Sequence, residues 1–248
     1  MVASVAVLSD VHGVLPVLDA VLAEPDVAAA DGIVLLGDIA LGPMPAESLD
    51  LLDSLGERAV WVHGNCEREV ITAYDGRSLP GPDADGARAT AALLEERHRD
   101  LLDGLPLTVS LDVDGLGSAL FCHATPRRDD DMALVDSPVA VWQRALEGVS
   151  EGLVVVGHTH MPFDRLVDWR RVVNPGSVGM SYGAAGACWA LLGPTVQLRR
   201  TSYDVDDAAA YIRAGSHPDA EAWAAEYVLA PPGDVEALEV FGKLVDPL

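Results

Sequence analysis

The chain has 248 residues, of which 50% are hydrophobic, and a formal net charge of -23 from 39 acidic and 16 basic side chains. This length predicts one domain with a full hydrophobic core. The charge argues against an extended nucleic-acid surface, which needs Lys and Arg to displace counterions, but it permits a small phosphate ester, because surface charges are screened over about 10 Å.

The sequence also argues against a membrane protein and a disulfide scaffold. Asp31 and Asp38 interrupt the longest apolar stretch before it reaches about 18 residues, so no transmembrane helix is predicted. Asp10 comes too early for a secretory signal peptide, and we expect a cytoplasmic protein. The three cysteines are scattered and form no CxxC, so we expect neither a disulfide framework nor a thiolate zinc site.

The first third of the chain alternates strands and helices. Apolar runs predict strands at 4–10, 33–38 and 59–65, and helical periodicity predicts helices at 15–22 and around 46–55. This βαβαβ order predicts parallel strands with helical crossovers. Parallel strands deliver the residues that follow them to one edge of the sheet, where the sites of open α/β proteins form.

The middle of the chain changes to an antiparallel pattern. A helix is predicted at 90–102, and strands at 107–113 and 118–123 are predicted to form a hairpin through Asp114-Gly115. A predicted helix at 139–146 then precedes short strands at 154–156, 165–167, 172–173, 187–192 and 196–200. Two sheets packed face to face, with helices outside, fit this order of elements.

The last part of the sequence is helical and carries no motif. Helices are predicted at 208–213, 220–228 and 235–244. We therefore divide the chain into a main domain at 1–205 and a helical C-terminal extension at 206–248, which we expect to pack on the same domain.

Five of the predicted strands end in residues that can bind a metal. In chain order these residues are Asp10, His12, Asp38, Asn65, His123, His158 and His160. Carboxylates, an amide and imidazoles are the N and O donors that suit Mn, Fe, Zn or Ni. Because the strand ends are expected at one edge, the pattern predicts a site for two metals.

Most of these motifs have a structural alternative when taken singly. Asp38 also suits a helix N-cap, Asn65 suits a turn, and His123 suits a buried histidine with its own partners. The Gly-His-Thr-His segment that ends at His160 is the most specific, because histidines at i and i+2 of an extended segment point to the same side. Phosphate-loop, dinucleotide and GxSxG motifs are absent from the sequence.

The ordered series DxH, GD, GN, a single His and GHTH resembles the calcineurin-like metallophosphoesterases. The Asn-Pro-Gly-Ser-Val-Gly segment at 174–179 is also typical of them. The resemblance implies an α/β fold, a four-layer α/β/β/α sandwich of two mixed sheets flanked by helices, here with a helical C-terminal tail. It also implies a metal-dependent hydrolase of phosphate monoesters or diesters.

The resemblance further assigns the ligands to two divalent metal ions. One ion takes Asp10, His12, Asp38 and His160. The other takes Asp38, Asn65, His123 and His158. Asp38 bridges the ions together with a water or hydroxide that attacks phosphorus. Of Mn, Fe, Zn and Ni, Mn is the metal that we expect to support activity.

Two further residues are candidates for contacts with the substrate. Cys66 stands where many family members have a histidine that donates a proton or contacts phosphate, and Gly-Asn-Cys resembles a small bacterial and archaeal subgroup. Its thiol, with a reference pKa of about 8.5, is either a weak acid or a small buried group behind the site. Arg127, or its neighbour Arg128, follows His123 closely and either clamps a phosphate oxygen or is a solvated surface residue.

Other functions remain open at this point. One retromer subunit resembles this fold and serves protein assembly, so the alternative to an enzyme is a non-catalytic scaffold or partner-binding protein. Degenerate ligands would favour that alternative, and all predicted ligand positions are intact here. A metal-dependent nuclease of the same superfamily is disfavoured by the acidic charge. The expected partner is a small phosphate ester, and the sequence leaves homo-oligomerisation open.

Overall fold

Two five-stranded sheets lie face to face in the computed structural model, which describes residues 1–81 and 84–245. The strands are β1 (Val5–Leu8), β2 (Gly32–Leu35), β3 (Ala59–Trp61), β4 (Thr108–Val113), β5 (Gly117–Cys122), β6 (Leu153–Val155), β7 (Phe163–Val167), β8 (Arg170–Asn174), β9 (Ala187–Leu192) and β10 (Val196–Thr201). The α-helices are α1 (Leu15–Leu22), α2 (Pro25–Ala29), α3 (Pro45–Asp53), α4 (Asn65–Tyr74), α5 (Ala84–Ala91), α6 (Glu96–Asp103), α7 (Val139–Ala145), α8 (Val205–Arg213), α9 (Ala220–Trp223) and α10 (Asp234–Phe241). A 3-10 turn lies at Gly56–Arg58 and a π-helical turn at Ala224–Leu229.

The first sheet has the strand order β10-β9-β1-β2-β3. β1, β2 and β3 run parallel, with Val5 opposite Gly32 and Ile33 opposite Ala59, while β9 and β10 are antiparallel. The predicted βαβαβ arrangement is present, with α1 and α2 between β1 and β2 and with α3 between β2 and β3. The carboxyl ends of three strands therefore meet at one edge of this sheet.

The second sheet has the strand order β4-β5-β6-β8-β7. β4 and β5 form the predicted antiparallel hairpin, and β7 pairs antiparallel with β8. β5, β6 and β8 run parallel to one another. The carboxyl ends of β5 and β6 are therefore neighbours, and the chain continues from them into His123 and the loop of His158.

The hydrophobic core is divided among layers, as the alternation of side chains along β1 shows. Val5 and Val7 pack into the core between the sheets, whereas Ala6 and Leu8 belong to the core under the helices that cover the first sheet. Successive side chains of a strand point to opposite faces, so β1 is buried on both. Trp142 of α7 packs on the outer face of the second sheet. The predicted four-layer α/β/β/α sandwich is confirmed.

The prediction of one helix at 90–102 is wrong. α5 ends at Ala91 and α6 begins at Glu96. Between them Glu95 has extended backbone, with φ -95° and ψ 164°, and its N–H donates to Nδ1 of His98 at 3.1 Å. A side chain that satisfies the backbone at a helix start favours a new helix over continuation of the old one.

The helical extension packs on the first sheet's helices. Ala209 and Ile212 of α8, together with Val228 of the π-helical turn, belong to the same buried core as α1. The helix predicted at 220–228 is present but changes from α to π geometry after Trp223. The domain boundary after 205 stays a prediction. Within the described residues, no helix combines the length and apolar character needed to cross a bilayer.

Candidate metal centre

The seven predicted ligands follow β1, β2, β3, β5 and β6; six lie on loops, and Asn65 is the first residue of α4. Five of them have a positive φ, between 50° and 63°, namely Asp10, His12, Asp38, His158 and His160. Among the other described residues that are not glycine, only Asp168 shares this left-handed conformation. Such backbone is uncommon outside glycine and concentrates at functional sites, where the surrounding structure holds it in place.

Asp10, His12 and His160 form the first group. Their ligand atoms lie within 4.8 Å of one another, and all three residues are buried. Oδ1 of Asp10 lies 3.1 Å from Nε2 of His160, which in turn lies 3.2 Å from Nε2 of His12. A carboxylate oxygen and two ring nitrogens therefore converge on one point, which is an arrangement that suits a cation.

Backbone carbonyls orient the two imidazoles of the first group. Nδ1 of His12 lies 3.0 Å from the Leu41 carbonyl oxygen, and Nδ1 of His160 lies 3.1 Å from that of Met180. A carbonyl accepts only, so each Nδ1 carries the proton that it donates. In the neutral ring Nε2 then has a free lone pair, and metal-binding histidines are commonly held in this way.

Asp38, His123 and His158 form the second group, with ligand atoms again within 4.8 Å of one another. Oδ2 of Asp38 lies 3.3 Å from Nε2 of His123 and 4.0 Å from Nε2 of His12. Its Oδ1 accepts a hydrogen bond from the N–H of Cys66 at 2.9 Å. One oxygen of Asp38 thus faces both groups, which is the position of a shared ligand.

Four ligand atoms of this set are buried without a hydrogen-bond partner. They are Oδ1 of Asp10, Oδ1 of Asn65, Nε2 of His123 and Nε2 of His158, and among the described residues only three other side-chain atoms share this condition. Nδ2 of Asn65 donates to Glu69 at 3.4 Å, so its Oδ1 is the atom left for another contact. A buried polar atom without a partner costs about 1–3 kcal/mol. Metal ions would satisfy all four atoms, so the residues present fit a two-metal site.

The ionisation of the histidines also suits metal binding. Burial, with His160 nearby, lowers the pKa of His12 to about 4, and burial, with His123 nearby, lowers that of His158 to about 4. Burial also opposes the charged form of His123, but Asp38 outweighs it and raises the pKa to about 10. Two rings are therefore neutral at pH 7, whereas His123 must lose a proton before its Nε2 binds a metal.

Glu67, in the first turn of α4, connects two of the ligand loops. Its buried Oε2 accepts from the N–H groups of Asp38 and Gly64, each at 2.8 Å, and its Oε1 accepts from Ile39 at 2.8 Å. Sequence reasoning missed this residue and α4 itself, because the Gly-Asn pair at Asn65 indicates a turn. The available signal was a glutamate three residues after the start of a helix, as in a capping box.

The Asn-Pro-Gly-Ser-Val-Gly segment at 174–179 forms hydrogen bonds to the ligand loops. Nδ2 of Asn174 donates to the Gly157 carbonyl at 2.7 Å, and its Oδ1 accepts from the Gly176 N–H at 2.8 Å. The hydroxyl of Ser177 donates to the carbonyl of Asp10 at 2.8 Å. These bonds tie the loop of the second group's His158 to the loop that carries Asp10.

Cys66 contacts the centre through its backbone. Its N–H binds Asp38, while its thiol is buried and lies 3.7 Å from Nδ2 of Asn65. Burial, together with the nearby Asp38 and Glu67 carboxylates, raises the pKa of the thiol well above its usual value. The thiol therefore keeps its proton at neutral pH, and its predicted role as an acid stays a prediction.

Arg127 is turned toward α7. Its guanidinium donates to the carbonyl of Arg144 at 3.1 Å and lies 3.7 Å from the carboxylate of Glu147. With Arg128 it lines a cavity of about 400 Å³ to which none of the seven predicted ligands belongs among the described residues. The predicted phosphate contact of Arg127 stays a prediction that requires a different side-chain position.

Comparison with known proteins agrees with this geometry. Residues 4–194 match the model of the calcineurin-like phosphoesterase superfamily domain, and this span contains all seven predicted ligands. The chain belongs to the calcineurin-like phosphoesterase superfamily. This family is metal-dependent, and the two groups of ligand atoms are the candidate metal-binding groups of this member.

Individual proteins share sequence or fold with this chain. An uncharacterised protein of Methanocaldococcus jannaschii is 28% identical over 200 residues, which cover 71% of this chain and 76% of that one. A metallophosphoesterase from Sphaerobacter thermophilus is 27% identical, with a TM-score of 0.68 over 85% of this chain and 93% of that one. A hypothetical protein of Pyrococcus horikoshii, 21% identical with a TM-score of 0.73 over 85% and 92%, shares the fold. The predicted Gly-Asn-Cys subgroup stays a prediction.

Proposed function

We propose that this chain is a hydrolase of phosphate monoesters or diesters that uses two divalent metal ions. One ion would be held by Asp10, His12, Asp38 and His160. The other would be held by Asp38, Asn65, His123 and His158. The observation that supports this function most directly is the pair of adjacent ligand groups in which four buried donor atoms have no other partner.

The charge at the proposed centre suits a phosphate anion, although the whole chain is acidic. Two divalent ions carry four positive charges, and Asp10 and Asp38 carry two negative charges, so four minus two leaves the centre positive when the histidines are neutral. Bound ions dominate the local field, whereas the distant carboxylates that make up the net charge of -23 are screened.

In the proposed mechanism the ions would supply the chemistry of hydrolysis, and the residues of the chain would hold and orient the ions. When bound, the ions would lower the pKa of water toward about 7 and stabilise charge on the phosphoryl oxygens. The chain's residues hold the geometry: Oδ2 of Asp38 lies between the two groups, and Glu67 fixes the backbone of Asp38 relative to α4. Nδ1 of His123 lies 2.6 Å from the Leu36 carbonyl, which aims Nε2 at the second group.

A departing alkoxide needs a proton, and Cys66 is the candidate donor that the sequence offers. Burial and the nearby Asp38 and Glu67 carboxylates raise the pKa of the Cys66 thiol, whereas proton donors work best with a pKa near the working pH. Aryl esters and phosphoanhydrides have leaving groups that depart without a proton, so we propose that hydrolysis of these substrates needs no acid from the chain.

Hydrolysis of bis(p-nitrophenyl) phosphate and of p-nitrophenyl phosphate, with added Mn²⁺ and after chelation, tests the function. We expect release of p-nitrophenol that requires Mn²⁺ and disappears in His158→Ala. Glu96→Gln, at an exposed position in α6, is the active control. Release that persists in His158→Ala identifies a contaminating phosphatase. Absence of release from Mn-loaded protein contradicts the proposal and favours the scaffold alternative. The cytoplasm stays our proposal for the compartment.

A further inference from the structure

Two aromatic side chains of the C-terminal extension reach the first metal-binding group. The ring of Trp223, at the end of α9, has its centroid 5.9 Å from that of His12, at an interplanar angle of 38°. The ring of Tyr227 lies 4.9 Å from the Trp223 ring at 53°. Trp223 and Tyr227 are both only partly buried.

A second pair of aromatic rings, those of Tyr182 and Phe241, lies beside His160. Tyr182 stacks on His160 with centroids 5.6 Å apart and an angle of 21°, and Phe241 of α10 lies 6.1 Å from Tyr182. Tyr182 is 7% exposed and is therefore structural support rather than a binding surface.

The backbone at this position is unusual as well. Trp223 ends an α-helix, and Tyr227 lies in the π-helical turn Ala224–Leu229 that follows. Turns of π-helix are rare, and they occur frequently at functional sites. The turn is nevertheless anchored, because Ala224 and Val228 are buried in the core of the first sheet's outer face. Trp223 and Tyr227 are thus presented by a fixed segment.

The chemistry available beside the centre is aromatic rather than cationic. Arg68 is paired with Asp129 at 2.8 Å, and Arg127 donates to the carbonyl of Arg144. A substrate that extends from the phosphate past His12 toward α9 would meet the rings of Trp223 and Tyr227. Stacking on aromatic side chains contributes about 1–3 kcal/mol per nucleobase and tolerates any base.

We propose that Trp223 and Tyr227 form a stacking surface for the base of a nucleoside phosphate whose phosphate lies at the metal centre. This inference rests on the proposed function and adds the substrate class. The surface lies outside residues 4–194, which match the family model, so the family similarity does not assign it. It also gives the extension at 206–248 a part in recognition of the substrate.

Binding of adenosine 5′-monophosphate and of ribose 5-phosphate to Mn-loaded protein tests the proposal. The two compounds share the sugar phosphate, and ribose 5-phosphate has a hydroxyl group where the nucleotide has its base. By isothermal titration, we expect the full chain to bind the nucleotide about tenfold more tightly or better. We expect Trp223→Ala to abolish this preference while binding of ribose 5-phosphate stays the same, and Trp223→Phe to retain most of it.

Two control variants separate recognition from folding. Trp169→Ala removes a tryptophan that is 60% exposed, lies between β7 and β8 and packs against Arg170, and it should leave the preference unchanged. Tyr227→Leu, which keeps an apolar side chain at the second position, should reduce the preference for the nucleotide severalfold. This variant tests the proposal if Trp223→Ala fails to fold. Quenching of Trp223 fluorescence by the nucleotide, absent in Trp223→Phe, reports binding without turnover.

The outcomes distinguish this proposal from the proposed function. Equal affinity for the two compounds, no binding of either, or an equal loss of both in Trp223→Ala would overturn the stacking surface, even where the nitrophenyl esters are hydrolysed. Preference for the nucleotide in a protein that hydrolyses neither nitrophenyl ester would uphold the stacking surface and overturn the hydrolase.

Discussion

The close approach of Gly64 to Asp38 allows a test of whether this contact positions the ligands of the candidate metal centre. A Cβ at position 64 would lie 2.6 Å from the backbone nitrogen of Asp38 and 2.8 Å from Oε2 of Glu67, and it would also collide with Oδ1 of Asp38. Ordinary contact begins at 3.4 Å, so Gly64→Ala must separate the two loops by about 3.4 minus 2.6, or 0.8 Å. The obstacle includes backbone, so no side-chain rotation relieves it.

The expected effect of Gly64→Ala on metal affinity follows from the ligands that lie on either side of this contact. Asn65 follows Gly64 as the first residue of α4, and the other loop supplies Asp38; both belong to the proposed second metal site. Metal–ligand distances tolerate deviations of about 0.2 Å, which is well below the required displacement. Overpacking of this kind costs about 1–3 kcal/mol of stability, and misplacement of supporting groups lowers metal affinity about 10–100-fold. We expect Gly64→Ala to remain folded, with the second metal site weakened by that factor.

Metal titration by calorimetry, together with urea unfolding of the metal-free protein, measures both effects. Gly152→Ala is the matched control, because its Cβ meets nothing within 4 Å and its φ is not in the left-handed region. We expect it to change stability by less than about 0.5 kcal/mol. If Gly64→Ala binds two metals as tightly as the wild type, the loops are not coupled through this contact and the reasoning is refuted.

Three further predictions concern the ligands and their support. In Glu67→Gln an amide nitrogen, which is a donor, replaces one acceptor oxygen that faces backbone N–H groups. We therefore expect urea unfolding at pH 8 to show a free energy of unfolding about 2–4 kcal/mol lower than in the wild type, and an unchanged value for the control Glu96→Gln. Equal stability of the two variants would contradict the role of Glu67. Asp38→Asn should reduce bound Mn²⁺ below two per chain by elemental analysis and abolish hydrolysis, and full activity would exclude a shared ligand at this position. Because Asp38 outweighs burial and raises the pKa of His123 to about 10, metal binding at pH 7–8 should release about one proton, and the metal affinity should rise about tenfold per pH unit. Calorimetry in two buffers of different ionisation enthalpy should then give different heats of binding. Identical heats would argue against the release of a proton.

The stretches of sequence that were predicted correctly are those in which the information is local. β9 is observed at Ala187–Leu192 and α1 at Leu15–Leu22, as predicted, because a continuous apolar run and a helical apolar stripe are each contained in a short segment. The break between α5 and α6 was missed because it depends on a bond from Glu95 to His98 that competes with good helix-forming residues on both sides. Local propensity is a weak prior, and a single satisfied helix start can override it.

The sequence by itself determined the fold class and which residues can bind metal, since apolar runs that end in His, Asp and Asn specify both strands and donors. Only the tertiary structure decided which donors face one another, that one oxygen of Asp38 lies between the two groups, and that Glu67 ties the Asp38 loop to the start of α4. It alone brought Trp223 to His12, across more than 200 positions of the chain. Those contacts depend on how layers pack and helices dock, and such long-range geometry leaves no periodic signal in a single sequence.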